Sequence, residues 1–388
     1  MFGRQVAERS RQLTLPRLAV GLLLVSLFGY VYGTAVPTTS GSGGSSTVAA
    51  GTSAPTAIAP STTPLPSPPA TGRTGASDGS AAATVPEPPP WRPGLAFLGI
   101  SIEDATGAAA AVAAFESTTR YSPRVVQFTR AWAGDVFDPT PFRELAGAGA
   151  MPVLSWEPWN PLLQTRRARE LGDQPAYRLD RIARGDFDTY IASYGRGIRD
   201  LGFPVAVRFG HEMNGFWYPW GESANGNQPG DYARAYLHVQ EVFGAVGADN
   251  ALWVWSPNLA YPGSSSLDPL YPGDAHVDWI GVSGYYGTPR LGYVSFEDLF
   301  SFTLTSLRTL SDRPLVITEV AASDEHGEKA RWVTEMFEAL PRHPDIIGVL
   351  WFELSKEIDW RIAASPGAVR AFTQGAGDKR YAQRWQPG

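Results

Sequence analysis

Eight short runs rich in β-branched and aromatic residues alternate with amphipathic stretches over about 280 residues. Polar and aromatic residues collect where those runs end, and no glycine-rich phosphate loop follows any of them. Together these observations predict an α/β protein, a (β/α)8 barrel of the TIM type, since an open sheet carries no fixed strand count. A dinucleotide site is left without support.

The N-terminal 1–17 carry Arg4, Arg9, Arg11 and Arg17 against a single acid, Glu8. Residues 18–36 hold no charge, a run long enough to span a bilayer's hydrocarbon core, and the arginines place the N-terminus in the cytoplasm. Gly33 and Ala35 also fit the small-residue pattern of a signal-peptidase site. Because the apolar run continues through Val36, an uncleaved membrane anchor is favoured over a cleaved signal peptide. Residues 37–90 are almost entirely Ser, Thr, Pro, Gly and Ala, with Arg73, Asp78 and Glu87 the charged exceptions. Such a tract cannot bury enough apolar surface to offset its ordering entropy, and it reads as a disordered linker. A globular domain is expected over 91–388, outside the cytoplasm: on the membrane through the anchor, or secreted if the leader is cut.

Within that domain strands are expected at 95–101, 124–130, 151–156, 204–209, 251–256, 278–284, 314–319 and 346–352. Each is short, dense in Val, Ile, Leu, Phe or Trp, and bounded by Gly, Pro or polar residues. Helical periodicity marks 186–201, 231–246, 296–310 and 328–340.

Composition narrows the functions. Of 388 residues 43% are hydrophobic and 18% charged, with 33 Pro and 41 Gly, the balance of one large domain beside a disordered tract. A formal net charge of −6 argues against nucleic acid, whose phosphates need a basic patch. The absence of cysteine excludes disulfides, thiolate nucleophiles and Cys-ligated zinc. Thirteen tryptophans exceed what a core of this size requires, so those outside it are candidate carbohydrate platforms. Trp132, Trp253, Trp255, Trp279, Trp332 and Trp351 are expected in the core.

The chemistry concentrates in 205–221, VAVRFGHEMNGFWYPWG. A buried-type strand opens into His211, Glu212 and four aromatic rings, a set that suits a sugar-stacking floor around a carboxylic acid. A barrel places function at the C-terminal ends of its strands. The third run leads into Trp156, Glu157 and Trp159, the fifth into Asn258, and the sixth into Tyr285 and Tyr286. The seventh ends on Glu319, and Trp360 and Arg361 follow the eighth. Glycoside hydrolysis needs one carboxylic acid to protonate the leaving oxygen and one carboxylate to attack or to activate water. Glu212 and Glu319, across a barrel mouth from each other, are the pair the layout selects. Glu157, Glu222 and Glu353 are rivals, and a structural pair with a core histidine is the alternative.

The strings at these positions resemble glycoside hydrolase family 26, best known for β-mannanases. RFGHEMNGFWYPWG is similar to its acid/base segment and ITEVAAS to its nucleophile segment. VWSPN, YPGDAHVDWIGVSGYYG and WFELSKEIDWRI match further recurrent strings, and the resemblance covers residues 95–373. It implies Glu212 as general acid/base and Glu319 as nucleophile in a retaining double displacement. It further implies Tyr285 as hydrogen-bond partner of the nucleophile, His211 as a substrate or acid/base contact, and Trp217 as an aromatic lining the cleft. Trp360 would lie under the sugar at the cleavage point and Arg361 beside the next sugar; Trp156 and Asn258 are further substrate-binding candidates. No metal or cofactor is implied, and a monomeric catalytic domain acting on a polysaccharide is expected.

Ser283 stands where related sequences often carry an acid, and the WYPW loop departs from the mannanase run. These departures open three readings: an endo-β-mannanase; the same chemistry on mixed-linkage β-glucan, β-1,3-xylan or an exopolysaccharide; or a carbohydrate-binding protein without catalysis. Mannose and glucose differ at the C2 hydroxyl, so one moved hydrogen-bond partner can change preference.

Overall fold

A computed structural model describes residues 88–89, 92–103, 105–163, 173–287, 292–356 and 358–387. The apolar segment at 18–36 lies outside the described residues, as does the linker except for residues 88–89. Among the described residues no helix is long and apolar enough to cross a membrane.

Eight parallel strands close into a barrel in sequence order: β1 (Phe97–Ser101), β2 (Val125–Ala131), β3 (Met151–Glu157), β4 (Val205–Phe209), β5 (Ala251–Trp255), β6 (Trp279–Tyr286), β7 (Leu315–Ala322) and β8 (Ile346–Phe352). β1 pairs with both β2 and β8, which closes the ring and leaves no open edge. Parallel neighbours need crossover connections, and α-helices supply six of the seven, with a further helix following β8. These are α1 (Ala108–Thr119), α2 (Thr140–Gly147), the pair α3 (Leu179–Ala183) and α4 (Asp188–Arg199), α5 (Asp231–Ala245), α6 (Phe296–Leu310), α7 (Lys329–Ala339) and, after β8, α8 (Pro366–Ala376). The exception lies between β5 and β6, where two 3-10 turns, Asp268–Leu270 and Asp274–His276, replace the helix that strict alternation predicts. Four prolines within residues 257–272 explain it, each removing a backbone donor a helix would need.

Helix starts follow local chemistry. Ser295 caps α6 by accepting the Asp298 N–H, and Ser365 caps α8 ahead of Pro366, whose missing donor costs nothing in the first turn. The apolar core lies between sheet and helices and takes in all six tryptophans expected there, each at most 6% exposed.

Strand parity then decides what faces the axis. Along β3, Ser155 and Glu157 point inward, so Trp156 between them points outward. Its ring packs against Tyr194 at 4.8 Å and Trp132 at 4.9 Å and is fully buried. Trp156, expected in the cleft, is therefore a core residue. The same parity turns Tyr286 outward, to stack over Trp332, while Tyr285 turns inward.

Candidate active site

The inward positions near the strand ends form a polar tier built from small hydroxyls around one arginine. Arg208, on β4 and fully buried, donates to Ser155 Oγ (3.0 Å), Ser256 Oγ (2.9 Å), Ser283 Oγ (2.7 Å) and Glu319 Oε1 (2.6 Å). A buried guanidinium is tolerable only when its donors are matched in this way. Ser283, where an acid was expected, thus holds the arginine by its hydroxyl. Its neighbour across the β6–β7 ladder is Glu319.

Glu319 accepts from three sides. Gln127 Nε2 (3.0 Å) and Arg208 reach Oε1, and the Tyr285 hydroxyl donates to Oε2. Charge-assisted and neutral donors converging in this way fix the orientation of the carboxylate.

Glu212 has a different environment. β4 stops at Phe209, and Gly210 and Glu212 both take positive φ, +51° and +57°. Glycine adopts that geometry freely, whereas a glutamate there stores local strain, a feature that concentrates at functional sites. The turn is tied down by the Glu212 N–H to Ser256 O bond (2.7 Å) and by Trp220 Nε1 to His211 O (2.6 Å). The Glu212 side chain accepts from Trp217 Nε1 (3.0 Å) and Asn258 Nδ2 (2.9 Å) and is nearly sealed from solvent. Burial first, and the negative charge of Glu319 second, push its carboxyl up to about 7, against smaller lowering by Arg208, Asn258 and Trp217. One carboxyl disposed to keep its proton and one oriented by three donors is the division of labour glycoside cleavage needs.

A cavity of about 230 Å³ opens beside the pair, lined among others by Glu319, Tyr285, His211, Glu157, Tyr218 and Trp360. His211 lies against Ser155 Oγ (3.3 Å), and burial together with the charge of Arg208 lowers its basicity well below the usual value. The imidazole is neutral, so its 3.8 Å approach to Glu157 is no ion pair. Trp360 packs its ring 5.4 Å from that of Tyr285. Arg361 is exposed and donates from Nε and Nη2, one edge of its guanidinium, to the two carboxylate oxygens of Asp359.

The rival carboxylates hold backbone or rings. Glu222 accepts the Gly230 N–H, Glu353 accepts the Ile362 N–H, and Glu157 accepts from Trp159 Nε1 (2.8 Å). Burial raises Glu157 to about 8, so it faces the cavity as a neutral acid near pH 7. Sequence reasoning missed Arg208, Gln127 and the cavity-lining Lys356, whereas Tyr218, one of the four rings read as a sugar-stacking floor, does line the cavity. Two of them left a signal: a charged or amide residue inside the apolar runs VAVRF and VVQF signals an inward polar tier. Among the described residues no cluster of His, Asp or Glu could hold a metal ion.

A closed barrel with paired carboxylates at the C-terminal mouth and aromatic rings around a cavity defines a glycosidase-type site. The sequence profile of Glycosyl hydrolase family 26 matches residues 166–323. Endoglucanase H of Acetivibrio thermocellus is 32% identical over 237 residues, 59% of this chain and 24% of that protein. Mannan endo-1,4-beta-mannosidase of Bacillus subtilis is 24% identical over 234 residues, 57% of this chain and 59% of that one. This chain thus spans less than two thirds of either relative. The structure of a Cellulomonas fimi endo-beta-1,4-mannanase double mutant superposes with a TM-score of 0.56 at 18% identity, covering 74% of this chain and 72% of that one, a likeness of fold. Residues 166–323 of this chain thus match glycoside hydrolase family 26.

Proposed function

We propose that this protein is a retaining endo-β-glycanase acting on mannan-type polysaccharides by double displacement. The observation that supports it most is the contrast between Glu212, held up near 7, and Glu319, clasped by Arg208, Gln127 and Tyr285. Glu212 protonates the departing glycosidic oxygen while a Glu319 oxygen attacks the anomeric carbon, giving a glycosyl-enzyme. Glu212, now a carboxylate, takes a proton from the water that displaces Glu319. Trp360 and Tyr218 offer ring faces to the sugars, and His211 and Glu157 offer polar partners to their hydroxyls. The reading is that of a monomeric catalytic domain outside the cytoplasm, attached through the N-terminal segment or released from it.

A second reading, mixed-linkage β-glucan as substrate, is favoured by the similarity to Endoglucanase H. Reducing-sugar release by the full chain on glucomannan, galactomannan, lichenan and β-1,3-xylan, beside Glu212→Ala and Glu319→Ala, separates the two. Release from the mannans alone, lost in both variants, is expected. Release from lichenan or xylan alone would move the substrate and keep the pair, and a folded protein silent on all four would overturn the enzyme reading.

A further inference from the structure

Lys329 opens α7, on the same β7–α7 unit that carries Glu319, and is fully buried. Its Nζ donates to three consecutive carbonyls of the loop after β8: Asp359 O (3.2 Å), Trp360 O (2.9 Å) and Arg361 O (2.6 Å). An ammonium has three donors on one compact centre, and all three are used here. Three carbonyls converging on one point suit a single cation, and an ammonium withdrawn from water is unfavourable unless matched this fully.

The same loop is gripped at further points, among them the Trp360 N–H to Leu354 O bond (2.9 Å). Trp351 Nε1 also reaches Trp360 O (2.9 Å), and Glu353 Oε2 accepts the next N–H, that of Ile362 (3.0 Å). The held segment bears the Trp360 ring, which packs on Tyr285, whose hydroxyl in turn donates to Glu319. Strand β7 therefore supplies the carboxylate, and the helix that follows it supplies the clamp on the ring beside that carboxylate.

We propose that Lys329 is a positioning residue for sugar binding: by holding the 359–361 backbone it keeps the Trp360 ring against Tyr285 in the cavity. The inference rests on the glycosidase reading. Without the ammonium the Asp359 carbonyl loses its Lys329 donor, the Arg361 carbonyl keeps only the Ala364 N–H (3.2 Å) and the Trp360 carbonyl only Trp351 Nε1, so the grip on the loop is loosened.

The test is a double-mutant cycle of Lys329→Met and Trp360→Ala in the full chain, with kcat and KM on the best of the four polysaccharides and near-UV circular dichroism of each variant. Lys329→Met is expected to lower kcat/KM about 10- to 100-fold, the scale of a misplacement near 1 Å. The double variant should be no worse than Trp360→Ala within about twofold, because both changes remove one function. Lys329→Gln, which keeps a donor, should fall between; if the Met variant does not fold, Gln enters the cycle in its place. Unchanged kcat/KM in a folded variant, or losses that multiply in the double variant, would overturn the inference. A wild-type chain silent on all four polysaccharides would remove the glycosidase reading and this inference with it, whereas an active wild type with an unaffected Lys329 variant removes the inference alone.

Discussion

Arg208 and Glu319 meet at 2.6 Å across the barrel axis, the guanidinium fully buried and the carboxylate side chain 9% exposed. A charge pair so withdrawn from water stabilises little by itself, yet removing one partner strands the other. Arg208→Met is therefore expected to lower stability by about 3–5 kcal/mol and to abolish hydrolysis. Arg208→Met combined with Glu319→Gln should recover part of that stability but no activity. Urea titration of wild type, both single variants and the double variant checks this, and a double variant as unstable as the sum of the singles would count against it.

The acid limb of the reaction should be lost as pH rises. With the Glu212 carboxyl near 7, kcat/KM is expected to fall above about pH 7 as the proton needed by the leaving group is lost. Trp217→Phe deletes a donor that favours the ionised form. Its descending limb should consequently move to higher pH. A pH–rate profile of both proteins decides, and a limb that stays in place would show Trp217 uncoupled from the acid.

Stability should carry the same signature. The Glu212 pKa is raised on folding, from 4.5 to about 7, so between those values the folded protein binds more protons than the unfolded chain. This group's contribution is complete below pH 4.5 and is lost as pH rises through 7. Glu212→Gln cannot ionise, so its melting temperature relative to wild type should climb from pH 5 to pH 8. A constant difference across that range would contradict the burial of the acid.

Trp156 separates core from cleft. Trp156→Ala is expected to cost about 3–5 kcal/mol, typical of a large ring removed from a packed interior, with kcat/KM within about twofold of wild type at temperatures where the variant is folded. Chemical denaturation and steady-state kinetics on the same preparation test it. A large kinetic loss at unchanged stability would return the residue to the cleft.

The barrel and its principal acids were legible in the one-dimensional pattern. Eight apolar runs predicted eight strands because strand periodicity and burial are local properties, and β1 to β8 lie within a few residues of the expected ranges. His211, Glu212, Tyr285, Glu319 and Trp360 were all singled out because polar and aromatic residues at strand ends violate the economy of a core. In the structure His211, Tyr285, Glu319 and Trp360 line one cavity, with Glu212 tied behind it through Asn258 and Trp217.

What the sequence by itself determined, then, is the set of elements and the residue types too polar to be left unexplained inside them. Only the tertiary structure decided which way each points and whom it meets. The outward turn of Trp156 depends on the phase of β3 against its neighbours, and Arg208 reaches Glu319 across a sequence separation of 111. Lys329 and the carbonyls of 359–361 belong to different strand–helix units. Such partnerships arise from ring closure and strand register, non-local quantities that no window of sequence contains.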